Sequence, residues 1–170
     1  MHRAYYPATE AIAEQPSVHP SQAMTQSASR LIHADPGTIY RAFRGRDAMA
    51  HWLAPRGAKA VIDVFEPVPG GRLAMTLIFE NAPGKSSEHT DEITGRFVDF
   101  APDRRMVMTV EFKSTDPTFA GTMTMTWQLD ARPDGTQVTV EATDVPAGID
   151  PRDHEEGMRS TLANLAAYVE

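Results

Sequence analysis

The chain has 170 residues, a formal net charge of −7 and no cysteine. That length fits one domain better than two, and such a domain folds without metal or disulfide staples. The missing thiols exclude disulfide frameworks, thiolate nucleophiles and thiolate zinc sites, and they fit a reducing compartment.

Residues 1–26 carry Pro7, Pro16 and Pro20 among scattered Ser and Gln, with no sustained apolar period. Such a stretch buries too little surface to offset its ordering entropy, so a flexible tail is expected there, with Met24 as a candidate start. Glu10 and Glu14 interrupt any signal-peptide core. No apolar run in the chain approaches the ~18 residues of a membrane span. A cytoplasmic location is therefore expected. The acidic balance also disfavours nucleic acid, since Arg104-Arg105 is too short a run to build a basic face.

Folded structure is expected over 27–170 as one domain. A short strand covers Ser29–His33. Asp35-Pro36 then reads as an N-cap followed by proline at the first helical position, with the helix continuing through Ile39, Tyr40, Ala42 and Phe43. A second short helix runs from Asp47 through Trp52 and Leu53, ended by Pro55 and Gly57. Six strands follow between turn residues: Ala60–Phe65, Arg72–Phe79, Glu88–Phe100, Arg105–Phe112, Phe119–Leu129 and Gln137–Thr143. Pro133-Asp134-Gly135 is a strong hairpin turn. Asp150-Pro151 repeats the cap signal, and Met158, Leu162, Leu165 and Val169 form one apolar stripe on a long helix. Consecutive hairpins imply an antiparallel sheet with helices covering one face, an α+β domain whose sheet grips a helix.

Several stretches carry a family resemblance. They are His51-Trp52-Leu53-Ala54-Pro55, Glu66-Pro67-Val68-Pro69-Gly70-Gly71-Arg72, the run from Gly95 to Arg104, and His154 to Leu165. Over about residues 27–170 the chain resembles the START-like, or birch-pollen-allergen-like, superfamily. More narrowly, it is similar to bacterial proteins related to the C-terminal domain of the activator of the ninety-kilodalton heat-shock protein's ATPase. The resemblance implies a helix-grip fold: a curved antiparallel sheet of about seven strands, two short helices, and a long C-terminal helix over an apolar cavity. The family often has tryptophan where Met158 stands, which implies a looser helix-to-sheet contact here. Superfamily members bind lipids, polyketides, hormones or other apolar molecules, and some are cyclases or related enzymes. No invariant catalytic set is carried over.

Strand phase selects the candidate site. Met75 shares its face with Leu73, Leu77 and Phe79; Met106 and Met108 with Val110 and Phe112; Met123 and Met125 with Trp127 and Leu129. Trp52, Met158 and Leu162 face them from the helices. Methionine is flexible and polarizable, so this face suits either an adaptable ligand cavity or an ordinary core. Counting back from Phe97 through Gly95 and Ile93 also brings Asp91 and His89 inward, and His154 lies one turn before Met158. Two imidazoles and a carboxylate could orient a ligand or move a proton; the alternative is a frayed strand end in solvent and a histidine filling near a helix start. Glu66, Arg72 and Asp63 sit near the Pro-Gly-Gly turn, where an exposed ion pair is expected.

The sequence shows no P-loop, Rossmann glycines, His-x-x-x-His spacing or Gly-x-Ser-x-Gly elbow, so no cofactor and no metal is expected. The leading expectation is binding of a small hydrophobic ligand between sheet and C-terminal helix. Its rivals are an enzyme of cyclase, dehydratase or hydrolase type using His89, Asp91 and His154, and a chaperone-associated interaction domain. A homodimer is compatible with each. The solvated outer positions Thr122, Thr124, Thr126, Gln128, Thr139 and Glu141 count against the interaction domain.

Overall fold

The computed structural model describes residues 25–170. The expected tail therefore lies outside the described residues, except for its last two. Of these, Gln26 opens the first strand, three residues before the expected strand start at Ser29.

In chain order the elements are β1 (Gln26–Ile32), α1 (Pro36–Phe43), α2 (Arg46–Trp52), β2 (Ala58–Phe65), β3 (Arg72–Phe79), β4 (Thr90–Ala101), β5 (Arg105–Phe112), β6 (Met123–Arg132), β7 (Gly135–Thr143) and α3 (Pro151–Val169). The strands form one antiparallel sheet in the order β1-β7-β6-β5-β4-β3-β2. Successive hairpins lay down β2 to β7 as neighbours, and β1 returns to pair with β7 from Gln26 opposite Ala142 to Ile32 opposite Thr136.

The helix starts follow from their caps. Asp35 accepts a 2.8 Å hydrogen bond from Thr38 N, with Pro36 in the first turn of α1. Asp150 accepts from Arg152 N and Asp153 N at 2.9 and 3.1 Å, with Pro151 in the first turn of α3. Both satisfy backbone donors that have no intrahelical partner.

Two departures from the expected strands share a cause in local hydrogen bonding. β6 begins at Met123, because Asp116 caps a one-turn 3-10 helix at Pro117–Phe119 by accepting from Thr118 N at 2.9 Å. β4 begins at Thr90, because Gly84 N bonds Glu88 O and Ser86 N bonds Thr90 O within the preceding loop.

The sheet is bent by irregularities in its strands. Register shifts occur between Ile62 and Val64 and between Phe97 and Asp99. Bulges of this kind add local twist and kink a strand. At Gly95 a Cβ would collide with the Thr109 carbonyl, so only glycine permits the close approach of β4 to β5 there.

α3 closes the concave side. Met158, Leu162, Leu165 and Ala166 are buried against the sheet. Its polar side chains tie it to the end of α2: Thr161 Oγ1 donates to Leu53 O at 3.0 Å, Asn164 Nδ2 to Ala54 O at 2.7 Å, and Ser160 Oγ accepts from Arg56 N at 2.6 Å. Among the described residues no helix is long and apolar enough to cross a membrane.

Candidate ligand-binding site

The strand phases place the expected inward residues on the concave face, and most of that face is filled. Trp52, Met75, Met106, Met108, Met123, Trp127, Met158 and Leu162 are all buried. Over most of the face the methionines thus serve as ordinary core, because α1, α2 and α3 bring enough apolar volume to pack against them. Met158 is buried in the tryptophan position, so the helix is not held away from the sheet there.

One part of the face stays accessible. Leu77, Phe112 and Met125 point inward by strand phase but are only partly buried, as is Ile149 just before α3. Their same-face neighbours Met75, Val110 and Trp127 are buried. Together they outline a shallow, less covered stretch of the concave face, as Phe65 and Phe100 do toward its other end.

Polar groups ring the first of these, a shallow cleft. Asp91 is inward, on the side that strand phase counted from Phe97 gives it, and only 1% exposed. Both of its oxygens are occupied by Lys85, whose backbone N and Nζ donate to Oδ1 and Oδ2, each at 2.5 Å. The Lys85 ammonium also lies 4.7 Å from the centre of the Phe112 ring, a cation–π contact. The polar loop before β4 thus folds its one lysine over the cleft, because a buried carboxylate without a partner would be strongly destabilising.

His154 stands on the α3 side, partly buried. Its Nδ1 donates to Gln26 Oε1 at 2.6 Å. That bond places the neutral ring's proton on Nδ1 and leaves Nε2 as an acceptor. Burial lowers the His154 pKa below its ordinary value; the Lys85 charge lowers it further, and Glu155 opposes both.

His89 departs from its expected place. Its side chain is exposed, because β4 starts at Thr90, two residues later than expected, and His89 belongs to the loop. Its backbone carbonyl accepts from Phe79 N at 2.7 Å. His89, Asp91 and His154 are therefore not brought together as an acid–base set. The groups that do meet Asp91 and His154, Lys85 and Gln26, were not singled out in the sequence. Glu66 and Arg72 form the expected exposed ion pair, 3.1 Å between Oε2 and Nη2.

Two other depressions are distinct from this cleft. One, of about 300 Å³, involves Arg72, Ala74, Thr94, Arg96, Thr109 and Glu111, which project from the outer face of β3 to β5. The second, of about 240 Å³, lies among Thr38, Ala42, Ala48 and Tyr168. The first is a polar surface groove: Arg96 Nη1 donates to Gly70 O at 3.0 Å and Arg72 is held by Glu66, so its cations are already engaged.

A curved seven-stranded sheet gripping a C-terminal helix defines a helix-grip fold of the START-like kind. A family model described as "Activator of Hsp90 ATPase homolog 1-like protein" matches residues 33–170, and the chain belongs to that family. Solved structures agree. A protein from Chromobacterium violaceum superposes with a TM-score of 0.77 at 27% identity, covering 89% of this chain and 99% of that one. One from Rhodobacter sphaeroides gives 0.69 at 21% identity, over 89% and 95%. A protein titled AHSA1-like from Aeromonas hydrophila gives 0.64 at 18% identity, over 85% and 91%. No curated protein matches the sequence.

Proposed function

We propose that this domain is a cytoplasmic binding module for a small apolar molecule, held in the cleft between the sheet and the first half of α3. The observation that carries the reading is the partial exposure of Leu77, Phe112 and Met125 on a concave face most of whose apolar residues are buried. Apolar side chains left accessible inside a concave, polar-rimmed opening are the usual makings of a ligand site. Burying the ligand supplies affinity, while the Lys85 ammonium and the Nε2 acceptor of neutral His154 supply orientation at the rim. The family's description refers to a chaperone ATPase. A chaperone partner would have to dock on an outer face whose groove is polar and internally charge-paired, which favours the small-molecule reading.

The test is titration of the full chain with the neutral dye N-phenyl-1-naphthylamine. Saturable, blue-shifted fluorescence is expected. Met125→Trp fills the cleft and should weaken binding about tenfold or more, a loss of roughly 1.4 kcal/mol. Binding unchanged in Met125→Trp would place the site elsewhere.

A further inference from the structure

The start of α3 is attached to the molecule differently from the rest of it. From residue 147 to residue 157 no side chain is buried, whereas Pro146 before the stretch and Met158 after it both are. The residues that α3 buries, Met158, Thr161, Leu162, Leu165 and Ala166, all lie beyond Gly157. So do its bonds to the end of α2 and the residues that follow, at Ser160, Thr161 and Asn164. The earlier stretch is held by polar contacts: Gly148 N donates to Thr118 O at 2.8 Å, and His154 Nδ1 to Gln26 Oε1 at 2.6 Å.

Gly157 stands at the boundary between the two parts. Inside a helix, glycine forgoes stability that alanine would keep, and it leaves the backbone freer to bend. Packing does not call for it here. A Cβ on Gly157 would meet Pro55 Cβ at 4.0 Å, an ordinary contact.

The sheet below shows where this stretch matters. Met125 has four neighbours on the concave face: Met108 and Ala142 across the strands, Met123 and Trp127 along its own. All four are buried, yet Met125 is partly exposed. Its exposure therefore opens upward, away from the sheet and toward the helical layer. Ala142 also lies opposite Gln26, so the Gln26 end of the bond to His154 stands two strand spacings, about 10 Å, from Met125.

We propose that residues 147–157 are a flap, hinged at Gly157 and latched by the His154–Gln26 bond, whose opening admits ligand to the concave face while the rest of α3 stays docked. The purpose of the flap rests on the ligand-binding reading; its motion does not. Opening it uncovers no buried side chain of its own, which places it at the low end of the range of local unfolding energies. Opening beyond Met158 would pull Leu162 and Leu165 out of the core, so the motion stops there.

Amide exchange of the nitrogen-15-labelled full chain tests the motion. Amides 155–158 should share one level of protection, on the order of a hundredfold below that of 162–166, with a step between the two groups. Protection that climbs smoothly from residue to residue would be ordinary end fraying and would overturn the flap. Stopped-flow mixing with N-phenyl-1-naphthylamine tests the gate. Gly157→Ala should make opening about fivefold rarer, so association and dissociation of the dye both slow by that factor and Kd stays the same, as a gate scales both directions alike. Gln26→Ala removes the latch and should speed both, again about fivefold. If Gln26→Ala does not fold, Gly157→Ala alone decides. Dye rates indifferent to the substitutions would overturn the gate while the binding reading stands. Failure of the dye to bind would remove the ligand reading and the gate together, whatever the exchange pattern.

Discussion

At the scale of single residues, the rim of the cleft is governed by one carboxylate and one imidazole. The Asp91 side chain is 2% exposed and that of Lys85 21%, so the pair is largely withdrawn from water. Lys85→Met leaves Asp91 buried without its cation and should cost about 3–5 kcal/mol in urea unfolding. Lys85→Met combined with Asp91→Leu should recover most of that loss, since apolar replacement of a whole buried pair is often neutral. A double variant as unstable as the single one would show that the charge is not the issue. His154 carries a pH dependence of defined sign. The unfolded ring takes up its proton near the ordinary value of 6.5, and the folded ring does so only at lower pH, because burial and Lys85 disfavour the charged form. Between those two values the unfolded chain binds more protons, so this contribution to stability is intact above about pH 6.5 and falls as the pH drops below it. The difference in unfolding free energy between pH 7.5 and 5.5 should shrink in His154→Phe. An unchanged difference would assign the dependence to other groups.

At the scale of elements, α3 is the lid that defines the concave side. Leu165 is fully buried on its stripe, so Leu165→Ala should cost about 2–5 kcal/mol in urea unfolding, and a loss below about 0.5 kcal/mol would mean the stripe does not face the sheet. Removing the double cap with Asp150→Ala should cost about 1 kcal/mol by the same measurement. The starts of α1 and α3 were legible in the sequence, because Asp followed by Pro states both the cap and the first-turn conformation locally. The faces of β3, β5 and β6 were legible for a similar reason: period two is set by the backbone itself. His89 was misplaced because strand phase was carried past Thr90, where hydrogen bonds within the loop redirect the chain. Lys85 was missed because a lysine in a polar loop reads as solvated. Its one signal was Asp91, a carboxylate in apolar phase that needs a counterion. Gln26 was missed because its partner, His154, lies 128 residues away and no local pattern connects them.

At the scale of the whole molecule, the sheet is open, with β1 and β2 as its edges and β5 and β6 near its centre. Amide hydrogen exchange should be slowest in β5, β6 and β7 and fast between Asn81 and Glu88, where the backbone is held by short-range bonds within one loop. A bound ligand should slow exchange in that loop, and an unaltered loop at saturating ligand would separate Lys85 from the cleft. The sheet is also completed by its two ends: Ser29 on β1 meets Thr139 on β7 across 110 residues of chain. On a ribosome, β1 therefore emerges early and waits for a partner that is translated several seconds later, at typical elongation rates of about 5–20 residues per second. α3 follows later still, so the apolar side of β2 to β6 passes through synthesis without its cover. During that interval the nascent chain presents a partly uncovered apolar face of the kind that holding chaperones bind.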